Sequence, residues 1–325
     1  MSNSTLFVWF AKHIRFLKPD RFVEQPISTL FVLKNLSRFA KLSALIALTA
    51  FVPHSNVKNT EGVVFSEKNN PQLPEAAASC SEVNNTTFNA GEELTYKIFY
   101  NLNFVWIPAG EVVFKIEDEG SRYHLSAVGR TYDSYDWFFK VRDYYNSYVD
   151  KQTLLPQTSI RYVNESKYKL YDMVNFDQKS RKATYERGKA KETIDKRGSI
   201  DLTDCMHDVL SIVYYSRTLD YSKAEIGQEF PVKVMLDEEA YDLKYKLLAR
   251  ETKSVHGLGN FATMRFSPQV VAGNVFNEKT QMKIWASDDQ NRLPLMVESP
   301  VSVGSVKVVL KSWKGLKYDM AAKKN

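Results

Sequence analysis

Histidine is the commonest general base and metal ligand. Beyond residue 60 this chain holds three, at His124, His207 and His256. They are scattered, and no His-Glu-x-x-His run or Cys-x-x-Cys pair accompanies them, so neither a metal nor any other cofactor is expected. His207 is followed by Asp208 within a helical pattern and reads as a helix residue bonded to nearby backbone. There is no Gly-x-Ser-x-Gly elbow, and the serine-rich phrase SPVSVGS at 299–305 lacks the strand–nucleophile–helix setting such a serine needs. No phosphate loop occurs, and GLGN at 257–260 reads as a turn before a strand. Asp288 and Asp289 fall in a turn phrase, where solvated acids are ordinary. These signals disfavour cofactor-dependent and nucleophilic enzymes. The expectation is a non-catalytic protein, and the alternative is a hydrolase whose residues are dispersed along the chain.

The two cysteines, Cys80 and Cys205, stand far apart. In an exported protein, two lone cysteines predict one disulfide. AASC at 77–80 resembles a lipoprotein acylation box, but PQLPE rather than an apolar run precedes it, so lipidation is not expected.

Large rings are dense. WFFKVRDYYNSY at 137–148 carries six, with Phe99, Tyr100, Phe104 and Trp106 upstream. Strand alternation sends rings to both faces. One set can build a core, and the other, represented by Trp106, Trp137, Phe138 and Tyr145, can line an apolar concavity for a lipid or acyl chain. Two-sided burial in a filled sandwich is the competing reading.

The formal net charge of +6 is carried by the leader. Residues 1–60 hold eight Lys and Arg against two acids, which leaves 36 of each sign beyond them. A neutral domain lacks the basic footprint of a nucleic-acid binder. Lys34, Arg38 and Lys41 precede LSALIALTAFV at 42–52, an apolar run of 11 residues that reads as a signal peptide, too short to span a bilayer. The leader is assigned to 1–55, with residues 1–32, which fit no signal peptide, read as mis-annotated. Residues 56–87, rich in Asn, Ser, Pro and Glu, read as a disordered linker.

The elements that must position these residues are mostly strands. From Phe88 to about 318, apolar alternation recurs between turn signals at the spacing of an antiparallel meander. One segment breaks the pattern: Met206, Val209, Leu210 and Val213 recur at helical spacing and predict a central helix near 203–219, with Thr203 or Asp204 capping its start. The phrase VDKQTLLPQ at 149–157 returns as SDDQNRLPL at 287–295, with Asp150, Gln152, Leu155 and Pro156 matching Asp288, Gln290, Leu293 and Pro294. AGEELTYKI at 90–98 likewise matches IGQEFPVKV at 226–234. These matches at nearly one offset predict two related halves, about 91–177 and 227–315, each a run of strands in meander sheets or half-barrels, with Pro156 and Pro294 each opening a return strand.

GEELTYKIFYNLNFVWIPAGEVVFKI, DWFFKVRDYYNSYVDKQTLLP, CMHDVLSIVYYSR and SPVSVGSVKVVLKSWKG together resemble the domain of unknown function 3108 family, in particular exported members from Bacteroides-like bacteria. The resemblance covers about 88–318. It implies an extracytoplasmic, mostly antiparallel β protein and supplies no catalytic residues. The combined expectation is an exported protein of the periplasm or outer membrane that binds a hydrophobic or envelope-derived ligand, a lipid or a partner, with a purely structural scaffold as a further alternative.

Overall fold

The computed structural model describes residues 80–102, 105–137, 139–268, 282–300 and 305–324. Eight strands come first: β1 (Glu93–Leu102), β2 (Val105–Glu119), β3 (Arg122–Thr131), β4 (Arg142–Asp150), β5 (Pro156–Glu165), β6 (Tyr168–Asp177), β7 (Lys182–Ala190) and β8 (Thr193–Asp201). Helix α1 (Ser211–Thr218) follows, then β9 (Glu229–Leu236), β10 (Glu239–Val255), β11 (Gly259–Pro268), β12 (Lys283–Ser287), β13 (Pro294–Pro300), β14 (Ser305–Lys314) and the short β15 (Lys323–Lys324).

Every named strand pairing is antiparallel, and each of the two runs pairs in sequence as a meander. β1 pairs β14, which joins the runs into one large open sheet, with β8 and β9 at its two ends and β15 beside β11. The main core draws on both runs and on the helix: Tyr96, Leu125 and Tyr145 pack in the same cluster as Phe261, Leu310 and Tyr214. One face of the sheet must therefore curl around on itself to bury a shared core.

The turns show why the repeated phrase exists. The Asp150 carboxylate accepts the N–H groups of Gln152 and Thr153, Leu154 takes a left-handed φ of 55°, and Pro156 opens β5. Later, Asp289 rather than Asp288 accepts the N–H groups of Asn291 and Arg292, Arg292 has φ 47°, and Pro294 opens β13. The second turn is one residue shorter than the aligned phrases imply. Asp177 does the same for Lys179 and Ser180 before Arg181 (φ 55°), without any Leu-Pro. An Asp side chain standing in for a backbone acceptor is general turn chemistry. The entries to the two runs also correspond. Gly91 (φ 92°) donates to Ile116 O and Gly227 (φ 94°) to Leu247 O, while Ile116 and Leu247 donate back to Glu92 O and Gln228 O.

The helix is shorter than expected. It spans Ser211–Thr218, because the residues before it are held in an extended strap. Within the strap, His207 N donates to Lys233 O and His207 O accepts from Met235 N, pairing the strap to the β9 edge. On the other side, the Gln178 amide bonds both the N–H and the carbonyl of Met206. The strap between β8 and α1 thus spans the two sheet ends. Neither Thr203 nor Asp204 caps the helix. Asp208 does, taking the N–H groups of Leu210 and Ser211.

Cys80 and Cys205 form a disulfide that fastens the strap to the N-terminal segment. Chain contacts accordingly begin before Phe88: Val83 N donates to Gln152 O, and the fully buried Thr87 hydroxyl donates to Arg217 O. Among the described residues, no helix is long and apolar enough to cross a membrane.

Candidate functional site

On the inner face of the first run, one row of side chains crosses the strands in register. Tyr145, Arg161, Asp172, Arg187 and Lys196 are successive partners from β4 to β8. The row on one side runs through Val112, Gly129 and Asp143 and so holds a further buried acid, and the row on the other holds Leu125, Ser147 and Ser159. Arg161 is buried and meets Asp172 at 2.5 Å and Asp237 at 2.6 Å. Arg187 meets Asp172 at 3.0 Å, Asp237 at 2.8 Å and Glu238 at 3.1 Å, and Lys196 pairs with Glu238.

Asp237 and Glu238 come from the opposite end of the sheet. They are the two-residue turn between β9 and β10, with φ values of 49° and 68°. Two-residue hairpins with positive φ at both central positions favour Asn-Gly or Asp-Gly, because other side chains are strained there. Glu238 accepts that strain and gains two cations. The tip therefore acts as an ionic latch between β9–β10 and β5–β8. Burial by itself would raise the Asp172 carboxyl, but Arg161 and Arg187 outweigh it and hold Asp172 below the usual carboxylate range.

Beside the latch, Asp143 and Glu165 are also buried on the inner face. Asp143 Oδ1 accepts the Asn164 N–H at 2.9 Å, and the Asp143 carboxyl is also hydrogen-bonded to the Glu165 carboxyl. Burial pushes the Asp143 carboxyl up to about 6, against the pull of the Asn164 N–H and the neighbouring Glu165 carboxyl. Asp143 lines a small cleft with Ile98, Ala109, Gly129 and Val141.

A second polar group sits at the helix start. His207 Nδ1 lies 3.2 Å from the Ser211 hydroxyl, and Ser147 donates to Asp208. The spacing resembles a nucleophile and its base, yet Ser211 is fully buried and the Asp208 carboxylate is turned to the helix N–H groups and Ser147. Burial lowers His207 to about 3, which makes it a neutral, structural imidazole. Among the described residues, no group of three or more His, Cys, Asp or Glu is placed to hold a metal.

The four rings singled out in the sequence do not share one surface. Tyr145 is 3% exposed and lies in the main core, because its position on β4 faces inward with Asp143 and Ser147. Trp137 is 58% exposed in the loop between β3 and β4. That loop is pinned by Arg142, whose guanidinium bonds Thr131 O, Asp133 and Asp136. Trp106 is half-buried near the start of β2, with the Lys307 ammonium 3.9 Å from its ring centre and the exposed Val105 beside it. Trp106 and Trp137 sit at the same end of the sheet, the end that opens above Asp143. Phe138, like Phe104, lies outside the described residues.

The latch and the carboxyl pair escaped the sequence reading. Arg161 and Tyr162 alternate in a strand where either parity could face inward, so periodicity was silent about which is buried. The one signal was the Leu236–Glu239 hairpin, which turns tightly without Gly or Asn.

A family model described as a protein of unknown function, DUF3108, matches residues 95–311. No curated protein matches the chain. Among solved structures, a β-barrel-like protein of the DUF1849 domain from Brucella abortus is 7% identical, covering 72% of this chain and 100% of that one, with a TM-score of 0.48. A Bacteroides fragilis protein with a YmcC-like fold, thought to be exported, is 12% identical over 72% of this chain and 100% of that one, with a TM-score of 0.28.

Proposed function

The chain belongs to the DUF3108 family, whose function is unknown, and from that membership we propose that it is an exported, non-catalytic binding protein of the cell envelope. It takes a hydrophobic or amphiphilic envelope component at the end of the sheet that carries Val105, Trp106 and Trp137. The observation that supports this reading is Trp137, a large ring left exposed on a loop that Arg142 holds in place. Monomers seldom spend an ordered tryptophan on water, and a fixed aromatic loses little entropy on binding. The apolar core beneath is filled by side chains, so the ligand lies against the rim rather than inside the sheet. The alternative, a hydrolase with a dispersed site, would need residues other than Ser211 and His207, whose contact is closed to solvent.

The test is binding of dodecyl maltoside, below its micelle concentration, to the disulfide-bonded protein and to Trp137→Ala. Covering the exposed part of one such ring contributes about 2–3 kcal/mol by area. The variant should therefore bind roughly 30- to 150-fold more weakly at unchanged melting temperature. Equal binding by both proteins, or none by the parent, removes the reading.

A further inference from the structure

We propose that the end of the sheet carrying Trp137 docks on the surface of an anionic phospholipid bilayer, through lysines displayed on two neighbouring hairpin turns. The inference rests on the rim reading above for the tryptophan and names the envelope component that the rim meets.

The strands fix which turns share that end. Trp137 lies between β3 and β4, and antiparallel pairing returns the chain to the same end between β5 and β6 and again between β7 and β8. Val141 bridges to Glu165, and Ser166 N donates to Lys140 O, so the β5–β6 turn abuts the tryptophan loop. The β5–β6 and β7–β8 turns carry Lys167, Lys169, Lys189 and Lys191, all exposed, and none of these lysines is ion-paired among the described residues. Of the acids at hand, Glu165 is buried, and Asp133 and Asp136 bond Arg142. Glu192 is left exposed beside the lysines. At the opposite end of the same strands, every turn includes an exposed or half-buried acid. Asp118 pairs with Lys151, Glu119 pairs with Arg122, Asp150 caps its own turn, and Asp177 stands with Lys179 and Lys182. Cations are thus concentrated at the tryptophan end of a domain that is otherwise neutral.

Charge and shape together choose the partner. Turn tips at one end of a sheet lie roughly in a plane, which suits a flat surface better than an enclosed ligand. A lysine reaches lipid phosphate on a flexible apolar stem, and an indole favours the boundary between headgroups and acyl chains. Tyr168, 36% exposed, stands between Lys167 and Lys169, and Val105, 60% exposed, lies at this end too. Anionic lipids attract basic side chains held near the surface, at about fivefold in affinity for each one.

The experiment is co-sedimentation of the disulfide-bonded protein with vesicles of phosphatidylcholine, pure or carrying about one-third phosphatidylglycerol. The anionic vesicles should bind at least about tenfold more tightly, and salt at about 0.5 M should remove the difference. Lys167→Gln with Lys191→Gln should weaken that binding roughly 10- to 30-fold at unchanged melting temperature. Lys179→Gln with Lys182→Gln removes the same charge at the opposite end and should stay within about twofold of the parent. Equal binding of the two vesicles, no binding of either, or equal losses in the two double variants overturns the docking surface. Tighter binding of oligothymidylate than of anionic vesicles, which would make the lysines a nucleic-acid site, overturns it too. Dodecyl maltoside is uncharged and reports on the rim separately. Maltoside binding without a preference for anionic vesicles keeps the rim reading and removes the lipid surface. Lysine-dependent vesicle binding without maltoside binding removes the rim reading and keeps the lysine surface.

Discussion

Replacing Arg161 by Met tests the latch directly. Asp172 is then left buried with Arg187 as its single cation, and Asp237 loses the shorter of its two contacts. Removing one partner of a buried ion pair costs about 3–5 kcal/mol, chiefly because the other charge stays desolvated. For a domain of this size, 1 kcal/mol moves the melting temperature by about 2–4 °C, so a fall of roughly 6–20 °C is expected. The double variant Arg161→Met with Asp172→Leu removes both charges at once. Arg187 keeps Asp237 and Glu238, and Lys196 keeps Glu238. Most of the loss should then return, leaving the double variant within about 1–2 kcal/mol of the parent. Urea unfolding followed by circular dichroism gives both values. Additive losses in the double variant, or a single variant as stable as the parent, would refute the account of the row as a desolvated network.

Other outcomes follow from the same geometry. Cys205→Ser opens a closed loop of 125 residues and should cost up to about 4–5 kcal/mol, while reduction of the parent lowers the melting point equally and does nothing further to the variant. His207, lowered to about 3 by burial, favours the neutral ring, so its contribution is complete above about 6.5 and is lost as pH falls toward 3. Asp143, raised to about 6, works oppositely: its contribution is complete below about 3.8 and is lost as pH rises through 6. Urea midpoints across pH 4–7 should therefore fall more steeply on acidification in Asp143→Asn than in the parent, and a parallel curve would exclude these assignments. We further propose that the two meanders are a duplication. The backbones of 91–177 and 227–315 should superpose strand for strand with Gly91 on Gly227 and Pro156 on Pro294, and a best fit pairing other strands would discard the idea.

The alternation of apolar residues between turn signals was enough, by itself, to specify an antiparallel β meander, because a period of two and an Asp or Gly at a turn are local properties. The Cys80–Cys205 bond was equally accessible, since two cysteines admit one pairing. Proline at 156 and 294 announced strand starts for the same local reason: the ring presets φ and removes a donor. Other features depended on what lies across the fold. The periodicity from Met206 to Val213 is real, yet the first turn unwinds because His207 finds backbone partners on β9, and only neighbouring strands can offer those. Tyr145 and Trp137 look alike in sequence, but one faces a core and the other water, because burial is decided by the curl of the sheet. Arg161, Asp172 and Arg187 stand far from Asp237 along the chain. Their charges are tolerable inside only because the β9–β10 tip arrives with opposite ones, and that arrival is a property of the tertiary structure alone.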